Sequence, residues 1–393
     1  MVAERTATDA SRVRQRNLAA VLQLVHRSAG PLGAGVTRAD LTRALGLNRS
    51  TIGDLVSALA AAHWVDEIDD APRDGVGRPS PRVVPRSDRL VAAVNPELDS
   101  IDVALVALGG RVVARRRVAV DSPTVDQTVS IAAQVIRELA AEHPSSRVVA
   151  AGVAVPGVVR RGDGVVRLAP HLGWHEAPLA APLYAALGVP VEVANDAQLA
   201  CRAELAFGAG HGARTLVYLN GGPSGIGGGL VIGGQLVGGR DGYAGEFGHV
   251  CVDPRGPVCA CGARGCLEAV VRREFLVTAL GLGAVDDVKL SRSLATSSTA
   301  AVDALVREQW AWLRVALRGI VNSVNPERVI FGGSLALLWL ALSDAERTAA
   351  AADALDASAS GLALSAAALG ADRLVIGAAE LAWDSLLTDP LSR

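Results

Sequence analysis

Residues 244–268 read AGEFGHVCVDPRGPVCACGARGCLE and hold four of the chain's five cysteines together with His249 and the glutamates Glu246 and Glu268. Nine residues separate His249 from Cys259, one separates Cys259 from Cys261, and four separate Cys261 from Cys266. Gly256, Gly262 and Gly265 let the backbone turn tightly around one point. One imidazole with three thiolates suits tetrahedral Zn²⁺, and a closed four-ligand set is structural. The expected cofactor is therefore a structural zinc on His249, Cys259, Cys261 and Cys266. A pair of buried thiols or a disulfide is the alternative, but Cys-Ala-Cys is too short to bridge comfortably and leaves the histidine unexplained. Cys251 is left over and reads as a buried strand residue.

With four better ligands present, Glu246 and Glu268 flank the metal loop and are free for another task. GEFGH followed by CxCGxxGCxE resembles the ROK (repressor, ORF, kinase) family of bacterial regulators and sugar kinases, specifically the xylose-repressor-like branch of its transcriptional regulators. That resemblance implies a zinc loop beside a sugar pocket.

Working outward, 393 residues exceed one ordinary domain, and half of them are apolar, enough for two or three lobes with their own cores. Aromatics make up only 3%, so Ala, Val and Leu must build those cores. The net charge of −2 excludes a protein coated in nucleic acid along its whole length, but the charge is uneven. Residues 1–90 carry 13 Arg against 10 Asp and Glu, and the remainder carries 25 basic against 30 acidic residues. Any DNA contact is expected at the front. No apolar run reaches about eighteen residues, so no signal peptide, membrane span or membrane partner is expected. Clustered cysteines fit a reducing cytoplasm.

Residues 1–12 lack apolar periodicity and read as a loose arm. Leu18, Val21, Leu22 and Val25 then recur at helical spacing up to Gly30-Pro31. A second helix starts at the capping Thr37, carries Leu41 and Leu45, and stops at Gly46. A third is capped by Asn48 and sets Ile52, Leu55, Val56 and Leu59 on one face. Its outer face offers Arg49, Ser50, Thr51, Asp54 and Ser57, polar groups suited to base edges and phosphates in a major groove. Trp64-Val65 opens a hairpin with an acidic tip, and Gly77-Arg78-Pro79 returns the chain. Residues 37–79 resemble the winged helix of ROK repressors. Arg38, Asn48, Arg49, Ser50, Thr51 and Arg78 are the expected DNA-binding residues. His63 and Trp64 depart from the family's usual glycine and small aliphatic. Asp66, Glu67, Asp69, Asp70 and Asp74 make the wing too acidic for phosphate contacts. Pro79, Pro81 and Pro85 read as a stiff linker.

From Leu90 onward, Val-rich strands (90–94, 101–108, 111–120, with Gly109-Gly110 as turn), a helix at 125–142 and a buried strand at 148–155 begin an alternation that continues to the end. The fold class is α/β. The resemblance implies a two-lobed actin-like ATPase (ribonuclease H-like) domain, with the ligand in the cleft between lobes. The expected domains are a winged helix-turn-helix at 1–82 and a ROK sugar-binding domain at 83–393, with lobes at about 88–200 and 201–393.

ROK kinases carry Asp-x-Gly-Gly-Thr in the first hairpin to hold ATP phosphates. The matching positions here read Asn95-Pro96-Glu97-Leu98-Asp99. Two carboxylates facing phosphates repel by roughly 4 kcal/mol per close pair at an effective dielectric of about 20. Productive ATP binding is not expected, and the chain reads as a non-enzyme. Asn220–Gly229 matches the second phosphate loop in part and reads as a tight turn between strands 216–219 and 230–232. Val329–Gly333 resembles the adenosine-side turn, for which a strand end suffices. Asn195-Asp196 resembles the family's Glu-Asn-Asp, with Asp196 as a vestigial base. By resemblance, Asn195, Asp196, Glu246, His249 and Glu268 are sugar-contacting. His171, in Ala169–Trp174, replaces the family's asparagine. His249 would serve twice, one ring nitrogen on the metal and the other toward a hydroxyl. The sequence thus points to a sugar-responsive repressor of carbohydrate-metabolism genes that binds an operator inverted repeat as a homodimer or dimer of dimers. The alternative is a ROK sugar kinase with a DNA-binding appendage.

Overall fold

The apolar stripe Leu18, Val21, Leu22 and Val25 is fully packed inside α1 (Val2–Ala29). The computed structural model describes residues 2–30, 35–68, 81–160, 162–283, 285, 287–297 and 299–391. The expected loose arm is instead continuous with α1, because residues 2–16 contain no Gly or Pro and are rich in Ala and Arg, which favour helix. β1 (Val36–Thr37) leads into α2 (Arg38–Leu45), whose cap Thr37 accepts from the Asp40 amide and whose end, Gly46, takes φ 64°. α3 (Arg49–Ala61) is capped by Asn48 and buries Ile52, Leu55, Val56 and Leu59. β2 (Val65–Ile68) and β3 (Arg82–Pro85) complete a sheet in the order β1-β3-β2. Val65 pairs with Pro85, so the sheet of the winged-helix fold runs on to Pro85. The expected boundary at 82–83 therefore falls inside β3, and Pro81 and Pro85 bracket a strand rather than stiffening a linker. The wing tip, with Asp69, Asp70, Asp74 and Arg78, lies outside the described residues.

β4 (Arg89–Pro96), β5 (Ser100–Ala107) and β6 (Val112–Ala119) form an antiparallel meander, and β5 is buried at every position. α4 (Val125–Glu142), held by a Thr124/Gln127 capping box, covers β5. β7 (Arg147–Val155) returns parallel to β4. β8 (Val158–Val159), β9 (Val165–Ala169) and β10 (Trp174–Pro178) make a small sheet. α5 (Ala180–Leu187) and β11 (Val191–Asn195) follow, and the larger sheet runs β11-β7-β4-β5-β6.

After α6 (Asp196–Phe207) come β12 (Leu216–Gly222), β13 (Gly225–Ile232) and β14 (Gln235–Leu236). The metal-loop segment gives way to α7 (Leu267–Val270), α8 (Arg273–Ala279), α9 (Asp287–Thr296) and α10 (Ala300–Val324). The chain continues through β15 (Arg328–Gly332), α11 (Gly333–Ala341), α12 (Asp344–Thr348), α13 (Asp356–Ala359), β16 (Ala363–Ala366) and α14 (Arg373–Thr388). The second five-stranded sheet runs β14-β13-β12-β15-β16. Period-2 alternation sorts its side chains. Leu216, Tyr218 and Ile330 pack with Ala200 and Cys201 of α6, while Val217, Leu219, Val329 and Phe331 pack with Trp310 of α10 and Leu335 of α11.

The chain gathers into two compact units, one of Met1–Ala154, Pro178–Val193 and Ala378–Arg393, the other of Val155–Ala177 and Ala194–Gly377. These differ from the expected lobes, because the segment 155–177 joins the second unit and the last turns of α14 return to the first. Among the described residues, no helix is long and apolar enough to cross a membrane.

Candidate functional site

All six expected sugar-contacting residues lie in the second unit, and β13 packs against the elements that carry Asp196, Glu246, His249 and Glu268, whereas nothing among the described residues brings His171 to it. The sequence suggests a turn over the glycines of β13, but the turn is only Pro223-Ser224, and the run itself pairs with β12 from Gly222↔Gly225 to Leu216↔Val231. Bare positions are needed because both faces of this strand are pressed by neighbours. A Cβ at Gly227 would lie 2.6 Å from the Ala197 methyl of α6, and one at Gly228 would lie 2.6 Å from Phe247. Gly248 sits on the Ile226 carbonyl in the same way.

Asn195 caps α6: its Oδ1 accepts from the Gln198 amide at 3.0 Å, and its Nδ2 donates to the Gly157 carbonyl at 3.0 Å. Both ends of its amide thus hold the backbone. Asp196, in the first turn of α6, accepts from the Ala197 amide at 2.8 Å. Gln198 then donates to the Gly242 and Ala244 carbonyls, tying α6 to the loop that carries Glu246.

Glu246, His249 and Glu268 stand in direct contact. His249 Nε2 lies 3.8 Å from Glu246 and its Nδ1 lies 3.6 Å from Glu268. Glu268 also accepts from the Ile226 amide at 3.4 Å and from the Cys259 thiol at 3.0 Å. Desolvation pushes the Glu246 carboxyl above its ordinary range, the Glu268 charge adds to this, and His249 opposes it. His171 is exposed on the single 3-10 turn Pro170–Leu172, carried by the small sheet of β8–β10.

The metal loop is a backbone knuckle. Cys259 N–H donates to Ala263 O, Gly262 N–H to Cys259 O, and Gly265 N–H to Pro257 O, all within 2.9 Å. Gly265 adopts φ 71° with its Cα against the Asp253 carbonyl, where any Cβ would collide. The ligand atoms of His249, Cys259, Cys261 and Cys266 all lie within 4.8 Å of one another. A tetrahedron with metal–sulfur bonds of about 2.3 Å needs sulfurs about 3.8 Å apart. Cys261 Sγ to Cys266 Sγ is 3.7 Å, and Cys259 Sγ to His249 Nδ1 is 3.7 Å, so the donor set fits such an ion. Nδ1 is the nitrogen that faces the Cys259 thiol, and Nε2 is the one turned toward Glu246. Burial raises the Cys259 and Cys266 thiols, whereas the Ala263 backbone hydrogen bond lowers Cys261. Cys251 is exposed rather than buried, and it meets the buried Cys266 only through an isolated backbone bridge.

In the first unit, Arg49 and Ser50 are exposed at the start of α3, with Thr51 half-buried behind them. Asn48 accepts from the Thr51 amide and from the Ser50 hydroxyl, both at 2.8 Å. Arg38 is engaged elsewhere: its Nε and Nη2 form a fork on Glu67 of β2 at 2.5 and 2.6 Å. The acidic strand thus takes up an expected DNA contact. The 95–99 segment is a closed hairpin in which Glu97 N–H bonds Ser100 O at 2.8 Å. Arg117 of β6 pairs with Asp99 at 3.0 Å and with Glu97 at 3.4 Å. Its carboxylates are therefore compensated, and the feature that separates this hairpin from a phosphate cradle is its side-chain-filled tight turn.

A profile of the ROK family matches residues 92–385. The chain belongs to the ROK family. It is 28% identical over 306 residues to the xylose repressor of Bacillus subtilis strain 168, covering 76% of this chain and 78% of that protein. A ROK family transcriptional regulator described as a homologue of the E. coli MLC protein superposes with TM-score 0.75 over 96% of this chain and 98% of that one, at 24% identity, a likeness of fold. A ROK glucokinase from Streptomyces griseus, solved with glucose and AMPPNP, matches with TM-score 0.62 and 28% identity over 75% of this chain and 99% of its own. The fold is thus the actin-like ATPase type of the ROK proteins, with the winged helix ahead of it.

Proposed function

We propose that this chain is a sugar-responsive transcriptional repressor whose ROK domain binds sugar without phosphorylating it. The observation that carries this reading is the winged helix N-terminal to the matched ROK region, with Arg49 and Ser50 presented at the exposed start of α3. A kinase has no use for such an element. Relatives named xylose repressors support it. In this reading Arg49, Ser50 and Thr51 meet bases and phosphates in a major groove. Asn48 acts mainly by holding the helix start, and Arg38 reaches DNA only by leaving Glu67. Two copies related by a two-fold axis read an inverted repeat.

Glu246, Glu268 and Asp196 supply acceptors for sugar hydroxyls, His249 supplies its Nε2 edge, and Asn195 acts through the backbone it holds. Zinc is the ion we assign to His249, Cys259, Cys261 and Cys266. When bound it supplies structural cross-linking, and it fixes the tautomer and ring orientation of His249 through Nδ1. The chain's own residues would do the rest: Cys259 would hold the ion as a thiolate, its proton passing to solvent, and Glu268 would keep its bond to the Ile226 amide and offer its remaining lone pairs to ligand.

Glucokinase relatives and the retained Asp196 favour a second reading, a sugar kinase with a DNA-binding appendage. Glu97 and Leu98 in the tight hairpin stand against it, since backbone amides cannot close on a phosphate there. One experiment separates the two. Purified chain is titrated onto promoter DNA from its own locus with xylose or glucose present, and in parallel assayed for ATP-dependent sugar phosphorylation. Sugar-dependent release from DNA without turnover is the expected result, and turnover that depends on Asp196 would reverse the ranking.

A further inference from the structure

Trp64 is almost wholly buried, and its indole N–H donates to the Pro390 carbonyl at 2.7 Å. Its ring meets Trp383 edge-on at 6.4 Å, and the Arg89 guanidinium lies 4.0 Å over it. One helical turn before Trp383, Glu380 Oε1 lies 2.8 Å from His26 Nε2 of α1. The Gly109 amide donates to His26 Nδ1 at 2.9 Å. An amide N–H can only donate, so Nδ1 is the acceptor and Nε2–H is the donor to Glu380. The last three turns of α14 and the residues after it are therefore keyed into the winged-helix domain by an indole, an imidazole and a ring stack. The Trp383 N–H in this junction has no hydrogen-bond partner among the described residues.

The other end of the same helix lies against the sugar site's framework, in the second unit. Arg373 Nε donates to Asn220 Oδ1 at 3.3 Å, and Asn220 also receives the Tyr218 hydroxyl at 3.1 Å. Asn220 opens the segment that ends at Gly225, where Glu268 rests. Gly377 is a glycine because α14 presses there on the Leu199 carbonyl of α6, the helix that begins with Asp196. α14 runs unbroken from Arg373 to Thr388, so both sets of contacts lie on one helix.

Building on the repressor reading, we propose that α14 is the coupling element. Its Glu380–Pro390 end latches the winged helix in the DNA-competent arrangement, and movement of its Arg373–Gly377 end with α6 and the Asn220 segment undoes that latch. A ligand shifts such an equilibrium only through its differential affinity for the latched and released forms. The bonds at the two ends of α14 are where that difference is transmitted.

The test uses the full chain, wild type and three variants. Trp64→Leu removes the ring and its hydrogen bond. Truncation after Thr388 removes only the terminal strap and the Pro390 carbonyl, and serves if Trp64→Leu fails to fold by circular dichroism. Ala378→Gly/Ala379→Gly softens the helix between its ends. Amide exchange at Gly109, which needs neither DNA nor sugar, reads the latch at its His26 end. Trp64→Leu and the truncation should both lose Gly109 protection and bind promoter DNA about 5–150-fold more weakly, while keeping a thermal response to xylose or glucose at least as large as that of the wild type, since sugar no longer has to undo the latch. The double-glycine variant should keep operator and sugar affinity but lose the effect of sugar on operator binding. Intact Gly109 protection in both latch variants, unchanged operator affinity once protection is lost, or a normal sugar effect in the softened helix would each overturn the proposal. Failure of the wild type to bind its promoter would sink the repressor reading instead, and Gly109 exchange would still decide whether the latch exists.

Discussion

Replacing Gly225 by alanine should damage the sugar site from behind while leaving the metal loop in place. Gly225 adopts φ 109°, and a Cβ there would collide with Glu268 Oε2 and lie 3.3 Å from its Cδ. Two costs combine. Alanine in so sparsely populated a backbone region costs on the order of 1–3 kcal/mol. Pushing the carboxylate off the Ile226 amide forfeits a hydrogen bond worth about 1 kcal/mol net. The matched control is Gly233→Ala, at φ 62° with nothing within 4 Å, where only the left-handed penalty of about 1 kcal/mol applies. The difference, about 2 kcal/mol, corresponds to about 4–8 °C in the melting temperature of a unit this size. Differential scanning calorimetry, with and without sugar, reads both effects at once. Gly225→Ala should melt well below Gly233→Ala and lose the sugar-induced shift, with metal content unchanged. Equal melting temperatures with equal sugar shifts would refute the packing of Glu268 against β13 and with it the carboxylate's place in the pocket.

Metal analysis should find about one zinc per chain, and Cys261→Ser should lose it together with stability. Because burial raises the Cys259 and Cys266 thiols and ligation requires thiolates, retention should fall as pH falls, checked by dialysis across a pH series. Arg49→Ala should weaken promoter binding in gel-shift titrations and reduce its salt dependence by about one contact, with sugar affinity unchanged. Calorimetric titration with ATP should show no binding, and Asp196→Asn should weaken sugar binding without altering any turnover. Asp40 has its carboxyl lowered by the Thr37 hydroxyl bond, with desolvation opposing and Arg43 assisting. A lowered carboxylate contributes stability present above its unfolded value and lost as pH falls through the folded one. Amide exchange in α2 should therefore quicken only on the acid side of the ordinary Asp range, and Asp40→Asn should flatten that dependence.

Most of what the sequence made legible depends on neighbours within a few residues. Thr37 and Asn48 as caps, Gly46 as a stop, the helix at 125–142 and the His249–Cys266 ligand spacing all follow from short-range chemistry, and the structure has each in place. What escaped depends on a partner far along the chain. Alternation cannot announce a strand made of glycine, so β13 passed for a turn; its warrant is Ala197, Cys201 and Phe247 pressing on it from other elements. Arg38 looked free for DNA because Glu67 lies 29 residues away, and Glu97 and Asp99 looked uncompensated because Arg117 comes from β6. Trp64 could be flagged as a departure but not explained, since its acceptor lies 326 residues downstream. The glycines of β13 and Gly377 of α14 have a common physical origin: both exist to let α6 approach closely, and α6 is the helix whose first turn holds Asp196. A movement of α6 therefore has no slack to dissipate in: it must shift the strand under Glu268 on one side and the root of α14 on the other.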